Sequence, residues 1–381
     1  MSVSSADVLD VAMVVEQCWQ PVPGGSATYV VELTRALDPR DDVRVTGVSA
    51  SHRGLPAPDV TPAVRTRALP LPRVALYEAW QRTTLPRAEW AVPGAQVVHA
   101  PTWAVPGTAR PLVVTVHDLA FLDDPTHFTP RGNAYFRRAL TRTRDHAAAV
   151  VVPSRSSADA LLAQGVGADR VHVIPHGVRV PDVAPAQVEQ VRARLGLDRD
   201  YLLWAGTLEP RKNVRRLVAA WAGLAAPAPD LVLVGPAGWG DVTVPEGAAP
   251  DARVHLVGRV DAADLHALYA GATAFAFPSL REGFGMPVLE AMAHGCPVLT
   301  SAGTACAEVA GDAAVLVDPL DVDALRAGLQ EVLAAGADLG ARGGAHASGF
   351  SWAASADAHT SVYRDAAAAG PRRAAGPRAR G

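Results

Sequence analysis

Twelve short runs of β-branched and aliphatic residues punctuate the chain, and most are apolar at consecutive positions rather than alternate ones. They fall at Val8–Val15, Val43–Val48, Val97–Ala100, Leu112–Val116, Ala149–Val152 and Val171–Ile174, then at Tyr201–Ala205, Leu231–Val234, Val254–Val257, Ala274–Phe277, Pro297–Thr300 and Ala314–Val317. A strand apolar on both faces needs cover on both, which helices on either side of a parallel sheet supply. Helical spacing appears between the runs: Val214, Leu217, Val218, Trp221 and Leu224 make a single apolar stripe. Strands alternating with helices predict an α/β fold.

At 381 residues the chain exceeds what one core accommodates. The runs divide into two similar sets, predicting two doubly wound domains, 1–178 and 179–350, with Pro175–Pro185 as the linker. A helical stretch over 351–367 follows the second set and is read as packing back on the first domain. Residues 370–381, rich in Arg, Gly, Ala and Pro, have nothing to bury and read as a disordered tail. Ligands of open α/β sheets bind beyond the carboxyl ends of the strands, so two such domains facing each other would hold a ligand in the cleft between them.

Composition narrows the function. A net charge of −3 argues against a nucleic-acid binder. Cys18, Cys296 and Cys306 form no CxxC pair and fit a reduced, cytoplasmic setting. The longest uncharged stretch, Trp90–Ala109, is broken by three prolines and cannot run as a membrane helix. No secretory signal is read at the N-terminus, whose first apolar run lacks a preceding basic region. Lys212 is the one lysine among 35 basic residues, the rest being arginine. A chain so biased toward arginine keeps a lysine where a guanidinium would not fit.

The loops after the strands carry the chemistry. Pro21-Val22-Pro23-Gly24-Gly25-Ser26 links the first strand to a helical pattern, offering backbone N–H groups to an anion; the plainer reading is a turn capped by Ser26. His117 and Asp118 follow the fourth strand; His117 either points at the cleft or hydrogen-bonds a loop. His172 and His176 flank a further strand end, with His176 read as packing at the linker. In the second domain, Gly206-Thr207-Leu208-Glu209-Pro210-Arg211-Lys212-Asn213 sets two adjacent cations at a strand-to-helix junction, as a diphosphate clamp requires. Pro278-Ser279-Leu280-Arg281-Glu282-Gly283-Phe284-Gly285-Met286-Pro287-Val288-Leu289-Glu290-Ala291-Met292 is the most specific run. Its glycines permit close backbone approach, and Pro287 suits a first helical position, which would put Glu290 in the first turn. Two carboxylates flanking a cradle of amides suit a polyhydroxylated ligand.

The Glu282-x7-Glu290 run, with Gly-Thr-Leu-Glu-Pro-Arg-Lys-Asn, Val-Ile-Pro-His-Gly-Val (173–178), Thr-Val-His-Asp (115–118) and Pro-Gly-Gly, resembles in order the motifs of the retaining GT-B glycosyltransferases of the group 1 family. The likeness runs from the first strand to about residue 365. It implies the GT-B fold, two Rossmann-like domains facing across a cleft. It also implies site roles: Glu282, with the amides of Gly283, Phe284 and Gly285, on the donor sugar; Glu290 on the ribose; Lys212 and Arg211 on the diphosphate; His117 near the donor sugar; Gly24 and Gly25 facing diphosphate and acceptor. Thr207 stands where the family often has Arg, and His176 where it has Asn.

The activity implied is transfer of a hexose, with mannose from GDP-mannose favoured over UDP-glucose, to an acceptor hydroxyl with retention. A lysine–arginine clamp and helix N-termini can stabilise the departing diphosphate without a divalent metal, and no Asp-x-Asp run is placed to hold one. Hence no cofactor is expected, and Glu282 is not assigned as a nucleophile. The acceptor is expected to be a glycan or a lipid-linked sugar. Arg131, Arg137, Arg138, Arg142 and Arg144, beside Tyr135, Phe136 and Leu140, read either as a solvated helix face or as a peripheral contact with anionic lipid at the inner face of the membrane. Two alternatives are a nucleotide-sugar epimerase on the same architecture and a carbohydrate-binding protein with a vestigial site.

Overall fold

A computed structural model describes residues 8–22, 24–123, 129–238 and 253–372. Most of the stretch read as a tail, 373–381, and Pro23 of the first glycine turn lie outside the described residues. The chain falls into two units: residues up to Gly177 together with the segment from Trp352 onward, and Val178–Ser351.

The first unit holds β1 (Leu9–Val14), β2 (Val43–Ser49), β3 (Thr66–Ala68), β4 (Val97–Ala100), β5 (Leu112–Thr115), β6 (Ala149–Val152) and β7 (Val171–Val173). Its helices are α1 (Gly24–Leu37), α2 (Arg73–Arg82), α3 (Ala120–Asp123), α4 (Pro130–His146) and α5 (Arg155–Leu162). All pairings are parallel, in the order β3-β2-β1-β4-β5-β6-β7. The central strands β4, β5 and β6 are buried at every position, as their unbroken apolar sequences require. The strand β3 has no counterpart among the predicted runs. It pairs at the sheet edge with two of its three residues exposed, so it carries no apolar signal.

The second unit holds α6 (Pro185–Leu195), β8 (Tyr201–Ala205), α7 (Val214–Ala222), β9 (Asp230–Val234), β10 (Val254–Gly258) and α8 (Ala262–Gly271), then β11 (Ala274–Phe277), α9 (Met286–Ala293), β12 (Val298–Ser301), α10 (Ala305–Ala310), β13 (Val315–Val317) and α11 (Val322–Ala347). Its parallel sheet runs β10-β9-β8-β11-β12-β13. The predicted stripe on α7 is buried at Val214, Leu217, Val218 and Trp221, while Leu224 lies beyond the helix end. The final helix, α12 (Trp352–Ala369), belongs to the first unit and packs on α1, β4 and β5.

In both sheets the strand order reverses once, between β1 and β4 and between β8 and β11. Loops leaving neighbouring strands at such a point diverge and open a crevice, which is where α/β sheets place ligands. The motif loops 206–213 and 278–285 leave β8 and β11, so the fold gathers them at this point.

Helix α11 packs closely on the turn after α9 because it carries glycine where the backbones meet. A Cβ on Gly340 would lie 2.1 Å from the carbonyl oxygen of Gly295. Gly340→Ala is therefore expected to destabilise the protein by about 2–3 kcal/mol, as overpacking does. A fall of roughly 4–12 °C in Tm would register it.

Candidate active site

Site residues in the second unit come from two interlocked loops. After β8 the chain turns through a short 3-10 helix, Pro210–Lys212, and Asn213 takes a left-handed conformation, φ 60°, before α7 begins. Asn213 suits this, since asparagine tolerates the left-handed region better than most residues. Its amide donates to the carbonyls of Pro278 (3.0 Å) and Pro319 (2.6 Å). The amide of Leu280 in turn donates to the carbonyl of Arg211 (2.8 Å). These bonds tie the lysine loop to the glutamate loop.

Between them lies a charged cluster. Lys212 Nζ sits 2.6 Å from Glu282 Oε1, and Arg211 Nη1 lies 3.0 Å from Glu282 Oε2. Arg211 Nε also reaches Glu209 Oε2 at 2.8 Å, so two carboxylates meet two cations. Lys212 is 7% exposed and its ammonium lies 4.7 Å from the centre of the Phe277 ring. Burial pushes the Glu282 carboxyl up, but Lys212 and Arg211 outweigh it and hold the group below the usual carboxylate range.

Gly285 adopts φ 111°, and a Cβ there would lie 2.9 Å from Cys306 Sγ. That left-handed turn lets α9 start at Met286, one residue earlier than the sequence suggested, and puts Pro287 at the second helical position. Glu290 is consequently the fifth helical residue, not part of the first turn. Its carboxylate accepts from Tyr269 Oη (3.1 Å), and the Tyr269 ring stacks on His294, which lies 2.8 Å from His266. Burial raises the Glu290 carboxyl to about 7 despite the hydrogen bond from Tyr269. Burial and the neighbouring His266 lower His294 to about 4. Tyr269 was not singled out from the sequence: it lies in α8 within no motif, and only the fold brings it to Glu290.

The first unit carries the remaining candidates. Gly24, Gly25 and Ser26 are the opening residues of α1, so Ser26 does not cap the turn. Gly24 has φ 62°, and a Cβ on either glycine would meet open space. His117 donates through Nε2 to the carbonyl of Pro101 (3.0 Å), the loop hydrogen bond foreseen as its plainer reading, and burial lowers its pKa. His176 is buried and stacks on Trp352 (5.8 Å, 16°), within the first unit. On α4, Arg131 pairs with Glu78 (2.5 Å), Arg138 donates to Gln81 (2.9 Å) and Arg142 donates to the carbonyl of Trp80. Three arginines of the basic stretch are thus engaged with α2.

Two parallel α/β units, one bearing a lysine–carboxylate centre at its strand-order reversal, are the architecture of the GT-B glycosyltransferases that the chain resembles. The sequence profile described as glycosyl transferases group 1 matches residues 199–335, and that of glycosyltransferase family 4 matches 23–180. The chain is 32% identical to the O-antigen chain mannosyltransferase B of Escherichia coli over 73% of this chain and 77% of that one. It is 29% identical to the D-inositol 3-phosphate glycosyltransferase of Kineococcus radiotolerans over 90% and 91%. Sucrose-phosphate synthase from Thermosynechococcus elongatus shares its fold at a TM-score of 0.73 and 24% identity, covering 95% of this chain and 100% of that one. The chain belongs to the group 1 family of glycosyltransferases. Neither the epimerase nor the non-catalytic reading gains support from these relatives. Among the described residues, no helix is long and apolar enough to cross a membrane.

The raised carboxyl of Glu290 has a signed consequence. Its folded pKa of about 7 lies above the ordinary glutamate value of 4.5, so the unfolded chain releases this proton first as pH rises. Stability from this group is full below about pH 4.5 and is lost as pH rises through 7. Denaturant titrations should show Glu290→Gln more stable than the parent at pH 8, by about 1–2 kcal/mol, with the difference shrinking toward pH 5. Parallel pH profiles for the two proteins would contradict this.

Proposed function

We propose that the protein transfers a hexose, most readily mannose from GDP-mannose, to the hydroxyl of a glycan or lipid-linked acceptor, retaining anomeric configuration and using no divalent metal. The observation carrying this reading is the Lys212–Glu282–Arg211 cluster between the two loops, with Lys212 buried. Cleaving the anomeric bond builds negative charge on the diphosphate. Lysine has three N–H donors, so Lys212 can keep Glu282 as one partner and would turn another donor to a phosphate oxygen. Fixed cations in a desolvated site stabilise such charge far better than water does.

Glu282, held ionised, would accept hydrogen bonds from donor-sugar hydroxyls, with the amides of Gly283, Phe284 and Gly285 beside it. Glu290 would take the ribose hydroxyls, oriented by Tyr269. His117, together with Gly24 and Gly25, would meet the donor sugar, the diphosphate and the acceptor. As the anomeric C–O bond to phosphate breaks, the acceptor oxygen bonds to the same face of the sugar and its proton passes to the departing phosphate oxygen. No enzyme carboxylate needs to become covalently attached. Mannose is favoured by the likeness to the E. coli mannosyltransferase.

Thermal unfolding with EDTA present tests the donor. GDP-mannose at about 100 times its Kd should add roughly 2.7 kcal/mol to apparent stability, and UDP-glucose should add little. The reverse ranking would overturn the donor, and a requirement for added Mg²⁺ in turnover would overturn metal independence. Lys212→Ala should lower kcat about 10²–10³-fold, the usual effect of removing one electrostatic stabiliser. Lys212→Arg should lose at least about tenfold, because the longer planar fork does not fit the pocket over Phe277.

A further inference from the structure

Five hydrogen bonds run in series through the buried interior of the first unit. His359 Nδ1 lies 2.7 Å from the carbonyl of Ser355, and His359 Nε2 lies 2.7 Å from Tyr29 Oη. Tyr29 Oη is 3.0 Å from Thr115 Oγ1, which is 2.8 Å from His99 Nε2. His99 Nδ1 is 2.8 Å from Tyr363 Oη. Tyr29, His99, Thr115, His359 and Tyr363 are all at most 2% exposed.

One group fixes every hydrogen in this chain. A carbonyl only accepts, so His359 Nδ1 carries its proton. Burial lowers His359 to about 4 and His99 well below the usual imidazole range, so both rings are neutral near pH 7. His359 Nε2 is then a bare acceptor and Tyr29 must donate to it. Tyr29 oxygen accepts from the Thr115 hydroxyl, whose single hydrogen is now spent. Thr115 therefore accepts from His99 Nε2–H, and the bare Nδ1 of His99 accepts from Tyr363. The opposite polarity would need an extra proton on His359 and would leave the Tyr363 hydroxyl hydrogen without His99 as its acceptor.

The chain joins α12 to the elements bearing the first unit's site residues. Ser355, His359 and Tyr363 lie on α12, His99 on β4 and Thr115 on β5. Thr115 stands two residues before His117, and Tyr29 lies in the α1 helix that opens with Gly24 and Gly25. The Tyr29 ring also meets His117 edge-on, with centroids 4.8 Å apart and planes at 83°. His117 is thus gripped by the Pro101 carbonyl on one side and the edge contact with Tyr29 on another.

We propose that Tyr29 is the positioning residue for His117 and that the α12 histidine, His359, acts through it by fixing the direction of its hydroxyl. This rests on the reading of His117 as an active-site group. Tyr29→Phe keeps the ring and removes the hydroxyl; His359→Phe keeps bulk and removes the acceptor; His359→Gln restores an acceptor oxygen.

Imidazole ¹⁵N spectra of the intact protein should show His359 as the Nδ1–H tautomer, and His99 and His117 as Nε2–H. The His117 signals should move in Tyr29→Phe and His359→Phe and return toward the parent in His359→Gln. With an active donor–acceptor pair, both Phe variants should lower kcat about tenfold while donor KM stays within about twofold. The double variant should lose no more than either single one, as for residues acting as a unit. His359→Gln should recover most of the rate. Unmoved His117 signals in Tyr29→Phe, an Nε2–H tautomer at His359, or additive losses in the double variant would overturn the proposal. His117→Ala separates the two readings. Full transfer by His117→Ala removes His117 from the site, whereas an inactive His117→Ala beside a fully active Tyr29→Phe overturns the positioning role alone.

Discussion

The second unit is organised around one largely covered anion. Glu282 lies in a loop that burial would otherwise keep neutral, and it is ionised because Lys212 and Arg211 come to it from the loop after the neighbouring strand. Two loops that share a charge cluster cannot be placed independently. The sheet order explains how they meet: β8 and β11 are adjacent although far apart in sequence, and strand order reverses between them. Asn213 then fixes the approach by spending its amide on carbonyls from two other segments. Replacing such a cluster with apolar side chains often costs a fold little, so its charges are weak evidence of a stabilising role.

The first unit's interior is tied together by polar side chains without net charge. Its interior holds His99, His117, His176 and His359 close to Tyr29, Trp352 and Tyr363, an assembly that two or more imidazolium ions would disrupt. His99 and His359, as neutral rings with both nitrogens hydrogen-bonded, stay satisfied in an interior where unmatched polar atoms are costly. The C-terminal helix supplies three of these residues, Trp352, His359 and Tyr363. Helix α12 is therefore part of the first unit's core, not an appendage to it.

Much of this was legible in the residues, and the failures have physical causes. Val97–Ala100, Ala149–Val152, Tyr201–Ala205 and Ala274–Phe277 have the same bounds in sequence and structure, because each is a short apolar run buried on both faces. The edge strand Thr66–Ala68 escaped since its side chains are mostly solvated and only backbone pairing defines it. Lys212 and Glu282 could be picked out because each sits in a contiguous run of unusual residues. Tyr269 could not, because its partner Glu290 is brought to it by packing of α8 on α9 rather than by any local spacing. The start of α9 was misplaced by one residue because a left-handed Gly285 turns the chain before Pro287 is reached.

The solitary lysine has a practical corollary. Amine-directed reagents can address only one side chain in these 381 residues, and that side chain is at the charged centre. Its ammonium is covered by Glu282 and Phe277, so acylation of that side chain, read apart from the α-amine, reports how often the cluster opens. A lysine-specific protease likewise has a single bond to cut, Lys212–Asn213, in a turn pinned by the two carbonyl contacts of Asn213. Cleavage there would report loosening at the meeting point of the two loops, in a protein that carries its own single-site probe.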